Sequence, residues 1–423
     1  MIFGEWSRRS RKRLSGKPEV GKDRKNNLTQ TRPPRLSGSR WRAWDAKTLS
    51  LTKMKKQHHI PSVIYDVQLL FPVLFLVGIG IVMVYSASST LAIKKFGTSY
   101  FFLKKQALFA FAGVIVLVIS RHFPYRYYRI LAYPLLGLSM TLLAVIQFTD
   151  LGLSAGGSIR WMKLGSFSFQ PSELARIALV IYLAYSMERK GEQIKNFSIG
   201  FVPHVLVLGV FAALIFIQPD FGSVAILGAL TWIMLFIGGV RFWQLFASLL
   251  IIIPAAYLFL IHAEYRVKRI LGFLNPWEYP ADEGYQMVHS LMAFGTGGLW
   301  GTGIGKGYQK LFYLPEPHTD FIFSVIGEEL GLLGVVIIIA LYAWIVMRGI
   351  AISRKAPDLF GAYLAVGLTI AVGLQIVVNM GVTLGLLPTK GLTLPLLSYG
   401  GTSLLLNMAA IGILMNISAS SRR

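Results

Sequence analysis

The chain has 423 residues, of which 54% are hydrophobic and 14% charged, with a mean hydropathy of +0.58 and a formal net charge of +23. These values, with repeated apolar runs of membrane-crossing length, exclude an ordinary soluble domain and indicate a polytopic helical membrane protein. The absence of cysteine excludes disulfides and thiolate metal sites, and the seven histidines show no HExxH-like spacing, which argues against a zinc hydrolase.

The first 60 residues form a strongly basic segment. They hold 17 of the 42 Lys and Arg residues against four acidic ones, and they show no apolar periodicity. We expect residues 1–60 to be a disordered cytoplasmic tail, because the segment has neither a core-forming pattern nor the apolar stretch of a signal peptide. Nucleic acid could bind such charge, but a basic tail beside a membrane span more often serves topology and contacts membrane lipids. We therefore expect no nucleic acid partner.

Ten apolar segments follow the tail, and an even number of spans places both termini on the same side. The short turns on the side of the tail carry arginine and lysine, as the positive-inside rule requires. We therefore predict an all-α polytopic membrane domain at 61–418, with both termini cytoplasmic and a short C-terminal segment at 419–423. The predicted transmembrane helices lie near 67–86, 106–120, 128–148, 171–187, 202–218, 222–239, 243–262, 321–347, 360–385 and 398–417.

Basic residues also occur in the loops predicted to face outward, where they oppose the orientation signal. An anionic ligand at the outer leaflet would account for them, and solvated loop charge is the alternative. The candidates for binding such a ligand are Arg160, Lys163, Arg266, Arg269 and Lys390.

Two polar segments interrupt the apolar pattern near predicted outward helix ends. Glu173 and Arg176 stand at i and i+3 at the start of the fourth span, and therefore on one helix face. Asp220 lies in Gln218-Pro219-Asp220-Phe221-Gly222, between the fifth and sixth spans. Each could be an internal ion pair or a turn. Because Glu173, Asp220 and Asp320 all fall near outward ends, we predict that they line one shared cavity.

The longest outward segment, at about 263–320, separates the seventh and eighth spans. Nearly sixty residues are too many for a simple connector, so we expect a lid or a substrate-binding surface. Its glycine-rich run at 293–305 follows no strand, which excludes a Rossmann or P-loop site. We expect these glycines to allow close backbone approach to a ligand, or reentrant turns.

The run Pro315–Gly331 leads from this loop into the eighth span and carries three carboxylates. Asp320 stands at the mouth of the helix, and Glu328 lies about 12 Å further along the axis, beside Glu329. Carboxylates at membrane depth are candidates for function. The alternatives are that Asp320 caps the helix and that Glu328 and Glu329 are satisfied by hydrogen bonds inside the bundle.

Four motifs together resemble the SEDS family (shape, elongation, division and sporulation) over about residues 65–417. The motifs are Pro315–Phe323, Gly327–Gly331, Gln218–Gly222 and Leu394–Ser403. The form Thr389-Lys390-Gly391-Leu392-Thr393 is typical of the division branch, whereas the elongation branch usually has a more apolar version. Arg176 departs from the family, which more often has lysine there, and arginine changes the donor geometry.

The resemblance implies a peptidoglycan glycosyltransferase that polymerises lipid II on the outer face of the inner membrane, at the division septum. Asp320 matches the catalytic aspartate of the family, and we expect it to act as a general base, with undecaprenyl pyrophosphate leaving. Glu173, Arg176, Asp220 and Ser398 join the basic residues as candidate substrate contacts. A divalent cation, magnesium or manganese, held through Asp220 or Glu173 would assist the departure of pyrophosphate.

The resemblance also implies partners. These are a class B penicillin-binding protein transpeptidase (FtsI) and the divisome proteins FtsQ, FtsL, FtsB and FtsN. Three alternatives to the division polymerase remain open from sequence: a flippase that moves lipid II across the membrane, a scaffold that recruits the transpeptidase, and an elongation-type polymerase. Glycine- and proline-broken spans with buried carboxylates suit a flippase as well.

Overall fold

The structure, a computed structural model, describes residues 66–155, 158–165, 167–262, 264–311 and 314–421. The predicted basic tail at 1–60 lies outside the described residues. The last helix continues to Ser421, so it includes most of the predicted C-terminal segment at 419–423.

Long helices coincide with all the predicted spans, and two shorter helices, α8 and α9, lie between the seventh and eighth. The helices are α1 Val67–Phe96, α2 Phe101–His122, α3 Tyr128–Phe148, α4 Pro171–Lys190, α5 Val202–Ile217, α6 Phe221–Gly238, α7 Phe242–Ile261, α8 Glu264–Leu274, α9 Tyr285–Gly297, α10 Ile322–Lys355, α11 Leu359–Thr383 and α12 Gly401–Ser421.

Several helices begin at a residue whose side chain accepts a hydrogen bond from a free backbone N–H, or at a proline, which has no N–H to satisfy. Pro171 occupies the first turn of α4, where its missing N–H costs nothing. Asp220 caps α6 by accepting a hydrogen bond from the backbone N–H of Ser223 at 3.2 Å. Asp358 caps α11 in the same way through Gly361, at 2.7 Å. Local sequence therefore sets these helix starts.

Within the described residues, eight helical segments are long and apolar enough to cross a membrane. They correspond to every predicted span except α4 and α7. The apolar stretch of α7 is shorter, at Phe242–Leu258. Helix α4 carries Glu173 and Arg176 near its start and two basic residues at its end, which lower its hydropathy.

Helices α4, α11 and α12 form the centre of the bundle. Side chains of α4 are buried along most of the helix, which packs against α3, α6 and α11. Helix α12 packs against α2, and α10 packs against α1, α9 and α11. The central position of α4 shields it from lipid, which removes the need for an apolar surface all round. Helix α7 is the opposite case, because Leu250–Ile253 are all exposed apolar side chains.

A three-stranded antiparallel sheet between α3 and α4 departs from the all-helical prediction. Strands β1 Gly152–Ala155, β2 Ser158–Leu164 and β3 Phe167–Phe169 pair in that order, with Met162 opposite Phe169. Leu153 pairs with Trp161 and Ser154 with Ile159, so Arg160 lies at a bulge in β2, outside the regular alternation of faces. Lys163 follows the bulge, where it pairs with Ser168 of β3 and is exposed.

The glycine-rich segment Gly298–Lys310, here called the inserted loop, docks into a break in α10. Gly331 interrupts the helix with φ 64° and ψ −165°, values that favour glycine. The loop supplies backbone partners there: Thr302 N donates to Glu328 O at 2.9 Å, and Leu332 N donates to Gly298 O at 2.9 Å. The glycines of the inserted loop therefore allow close backbone approach to α10.

Candidate active site

Asp320 lies immediately before α10, at the end of the bundle where the sheet, the start of α6 and the 384–400 connection meet. Its side chain does not cap the helix, because Phe321 holds the cap position and makes no side-chain cap bond. The backbone oxygen of Asp320 accepts a hydrogen bond from Asn379 Nδ2 on α11, at 2.9 Å. Asp320 is therefore not the helix cap, and its carboxylate is available for another role.

The connection after α11 passes directly over the Asp320 carboxylate. A Cβ atom at Gly391 would lie 3.0 Å from Asp320 Oδ2 and 3.9 Å from Arg160 Nη1, so only glycine fits without displacement. We call residues 388–393 the strap. Burial and then the negative charge of Glu316 raise the pKa of Asp320, Arg160 lowers it, and the net result is a pKa of about 7. A carboxyl group with that pKa can accept a proton near neutral pH.

Arg160 lies near Asp320 and binds the start of α6. Its Nη2 donates to the backbone oxygen of Pro219 at 3.1 Å, and its Nε lies 3.7 Å from Asp220 Oδ2. The side chain of Arg160 is 27% exposed and forms an ion pair with Asp220. Its Nη1 and the Asp320 carboxylate both border the strap at Gly391. This cation is positioned to meet an anion entering beside Asp320.

Lys390 on the strap adds a second positive charge. A Cβ atom at Gly222 would lie 3.8 Å from Lys390 Nζ, which places the amine above the start of α6. Burial lowers the pKa of Lys390, Arg269 lowers it further, and Asp220 opposes the shift. Arg266 packs on the ring of Phe221, with its guanidinium carbon 4.8 Å from the ring centroid. The structure thus brings Arg160, Arg266, Arg269 and Lys390 to one end of α6.

Lys163 and Ser398 do not join this group. Lys163 is exposed on β2, and no described contact joins it to Asp220 or Asp320. Ser398 is buried, and its Oγ accepts a hydrogen bond from Leu394 N at 2.8 Å. It closes the turn before α12 and does not face the carboxylate through any described contact. Both were predicted to contact substrate; in the structure, Lys163 lies on the surface and Ser398 in a turn.

Glu173 and Arg176 form a buried ion pair beneath the strap. Arg176 Nη2 lies 2.7 Å from Glu173 Oε2, and its Nη1 donates to Gln375 Oε1 on α11 at 2.5 Å. Gln375 in turn donates to the strap oxygen Thr393 O at 3.0 Å. A cavity of about 10 Å³, the size of one water, lies between this pair, Ser223 and Leu392. The pair therefore supports the strap from below.

Neither predicted metal ligand has a donor set suited to a divalent cation. Both oxygens of Asp220 are engaged, with Ser223 Oγ at 2.6 Å from Oδ2 and Ser223 N at 3.2 Å from Oδ1, and Arg160 stands beside it. Both oxygens of Glu173 are engaged by Arg176 and Gln375. Hard cations need several free oxygen ligands, and in the described part of the chain no three His, Asp or Glu residues cluster to supply them.

Glu328 and Glu329 are satisfied inside the bundle. Glu328 accepts hydrogen bonds from the backbone N–H groups of Tyr308, at 2.6 Å, and Gln309, at 3.1 Å. Glu329 pairs with the buried Lys310, 2.5 Å from Nζ to Oε1, and also accepts from Ser86 on α1 at 2.7 Å. These carboxylates hold the inserted loop against α10, as the structural alternative predicted.

The sequence reasoning missed the two amides of α11. Gln375 and Asn379 are both buried, and they stand four residues apart in an apolar helix, which puts them on one face. Such spacing of buried amides could have signalled a polar contact. It gave no indication of which segment the amides would hold.

The family model of the cell cycle proteins FtsW, RodA and SpoVE matches residues 67–423. The chain belongs to this family. A protein of Geobacter metallireducens named "Probable peptidoglycan glycosyltransferase FtsW" is 44% identical over 354 residues, covering 84% of this chain and 94% of that protein. Stage V sporulation protein E of Bacillus subtilis is 41% identical over 357 residues, covering 84% and 98%. The names confirm the predicted resemblance to the division branch.

Two solved structures share the fold. A chain of a peptidoglycan synthase complex, solved to describe the coordination of polymerization and crosslinking, aligns with a TM-score of 0.70 and 29% identity, covering 85% of this chain and 99% of that one. RodA of Thermus thermophilus aligns with a TM-score of 0.64 and 29% identity, covering 85% and 98%. These matches confirm the helical membrane fold.

Proposed function

We propose that this chain is a peptidoglycan glycosyltransferase that polymerises lipid II into glycan strands for septal wall synthesis in cell division. The observation that carries the proposal is the Asp320 carboxyl group, with its pKa raised to about 7 and with Arg160 beside it. The FtsW relatives support the same activity.

The chemistry requires a base and positive charge. Asp320 takes the proton of the acceptor GlcNAc 4-hydroxyl, whose oxygen attacks the anomeric carbon of the terminal MurNAc and inverts α to β. The bond to undecaprenyl pyrophosphate breaks, and the electron pair leaves with the phosphate. A glycosidase needs a second carboxyl group as acid because an alkoxide leaves poorly, whereas pyrophosphate leaves as a stable anion.

The basic group at the start of α6 receives that anion. Arg160 offers a planar fork of donors, and Lys390 offers a point charge on the strap directly above. Stabilising negative charge as it develops is a large part of catalysis in such sites. We propose that Arg160 and Lys390 bind the pyrophosphate, with Arg266 and Arg269 at the margin.

We further propose that ten helices cross the membrane, including α4 and α7, with both termini cytoplasmic and Asp320 at the periplasmic face. The positive-inside distribution and the match of helices to predicted spans support this arrangement. The structural neighbour from a synthase complex supports a transpeptidase partner of the class B penicillin-binding type. FtsQ, FtsL, FtsB and FtsN complete the proposed divisome.

The test is polymerisation of lipid II by the purified chain in detergent, with Asp320→Asn as the decisive variant. The amide is nearly isosteric but is not a useful base, so we expect glycan synthesis to fall to background. Asp150→Asn is the matched control, because Asp150 is an exposed aspartate near the end of α3. It should polymerise at the wild-type rate.

Other outcomes would point to the rival functions. A flippase or a scaffold would make no polymer from lipid II in detergent even as wild type. Adding the transpeptidase would not change this, because a transpeptidase joins peptides and forms no glycosidic bond. Wild-type polymerisation by Asp320→Asn would refute the role of this carboxylate. Parallel reactions with a chelator would show whether a divalent cation, brought by the substrate, is needed.

A further inference from the structure

One side chain joins the Asp320 segment to the strap. Asn379 on α11 is 1% exposed, and its amide nitrogen donates to Asp320 O at 2.9 Å and to Leu392 O at 2.5 Å. A primary amide has two N–H donors. Both are used here, one for each of two segments that are far apart in the chain.

The strap depends on such side chains, because it has no regular secondary structure of its own. Leu392 O is held by Asn379, and Thr393 O is held by Gln375 one helical turn away. Gly391 precedes these two residues and lies against the Asp320 carboxylate. The approach of the strap to the carboxylate is therefore set from α11.

The amide also carries a cost that a packing residue would avoid. Asn379 Oδ1 is buried and has no hydrogen-bond partner among the described residues. An unpaired buried acceptor destabilises a fold, whereas an apolar residue of the same shape does not. Filling space in α11 therefore does not explain an amide at this position.

We propose that Asn379 is a positioning residue that keeps the Asp320 carboxylate and the strap in the geometry needed for glycosyl transfer. This inference rests on the proposed function. Asn379 touches backbone oxygens and not the reacting atoms. It acts by holding the base and Lys390 at a constant separation, and an error of about 1 Å in such geometry costs about 10²-fold in rate.

Loss of Asn379 should change the pKa of the Asp320 carboxyl group, which is set by its burial and by the charged groups around it. Glu316 lies on the same segment as Asp320, Arg160 lies near the carboxyl group from β2, and Lys390 adjoins Gly391 on the strap. If the strap loosens, water reaches the carboxyl group and its pKa falls toward the ordinary range. The acid limb of the rate–pH profile then moves to lower pH.

The experiment compares Asn379→Leu with wild type in lipid II polymerisation, over a range of pH. We expect kcat to fall about 10²-fold, KM for lipid II to stay within about threefold of wild type, and the acid limb to move to lower pH. Asn379→Gln keeps the donors but is one methylene longer, so it should show a smaller change in the same direction. If the leucine variant fails to fold, Asn379→Gln provides the test in its place.

Asn416→Leu is the matched control. Asn416 is also a buried asparagine that joins two segments, through Arg121 O at 2.7 Å and Tyr125 N at 2.9 Å, but near the far end of α12. It should lower the thermal midpoint without moving the acid limb. The proposal is overturned if Asn379→Leu keeps the wild-type kcat. It is also overturned if the variant loses activity but the acid limb of its rate–pH profile does not move, as expected for a variant that is only unstable. Failure of the proposed function would appear separately, in Asp320→Asn.

Discussion

The carboxyl group of Asp320 experiences two opposing influences. Burial and Glu316 favour its neutral form, while Arg160 favours the charged form. The result, a pKa of about 7, is close to what a general base needs at neutral pH. The position of Asp320 in the structure and its pKa therefore both suit a general base. Neither its residue type nor its place in the sequence would show that pKa.

This balance predicts the pH dependence of the polymerase. The base is active when ionised, so we expect the rate to rise with pH and to reach half of its maximum near pH 7. Arg160→Gln removes the charge that lowers the pKa of Asp320, so the midpoint should move to higher pH, and the rate above it should also fall. Initial rates of lipid II polymerisation between pH 5 and 9 would measure both effects, those limits being roughly two units either side of the midpoint.

Lys163→Gln supplies the control for Arg160→Gln. It removes the same charge from the same strand, but from an exposed position with no described contact to Asp220 or Asp320. We expect its profile to match wild type. Equal shifts in the two variants would mean that general surface charge, and not the position of Arg160 near Asp320, sets the midpoint.

At the scale of elements, the break in α10 depends on buried charge. The inserted loop is held by Glu328 through backbone N–H groups and by the Lys310–Glu329 pair, whose side chains are 4% and 0% exposed. A buried pair is costly to form, and removing one partner leaves an uncompensated charge. The main effect of the Lys310–Glu329 pair is therefore to specify where the loop docks, and its contribution to net stability is small.

Lys310→Met should accordingly destabilise the protein by about 3–5 kcal/mol, because it leaves Glu329 buried without its cation. Adding Glu329→Gln should recover much of that loss. Lys306→Met, an exposed lysine of the same loop, should have little effect. Thermal midpoints in detergent provide the comparison, and a double variant no more stable than Lys310→Met would contradict the pairing argument.

At the scale of the whole molecule, the site lies at one end of the bundle, and the membrane orientation decides which compartment it faces. Short turns with arginine and lysine at the other end favour a cytoplasmic location for that end. A lipid-linked substrate would then reach Asp320 from the outer leaflet. The orientation thus links the charge pattern of the chain to its proposed reaction.

The absence of cysteine permits a direct test of this orientation. Single cysteines at Lys306, on the inserted loop, and at Arg354, at the end of α10, would both be exposed. We expect a membrane-impermeant maleimide to label Lys306→Cys in intact spheroplasts, and to label Arg354→Cys only after permeabilisation. The reverse labelling would place Asp320 on the cytoplasmic side and contradict the proposed function.

The sequence alone predicts the helical membrane fold, the approximate limits of its long helices and the position of Asp320 just before α10. These features follow from local properties: apolar runs of sufficient length, capping residues, and motifs contained in short stretches. Glu173 with Arg176 was also predictable as a pair, because i and i+3 share a helix face.

Which of the predicted polar residues meet depends on the tertiary structure. It pairs Arg160 with Asp220 beside Asp320, leaves Lys163 on the surface, buries Ser398 in a turn, and uses Glu328 and Glu329 to hold a loop. It also revealed Asn379, which touches a residue 59 positions away. Such contacts depend on how strands and helices distant in the chain pack together, and no local pattern of residues records that packing.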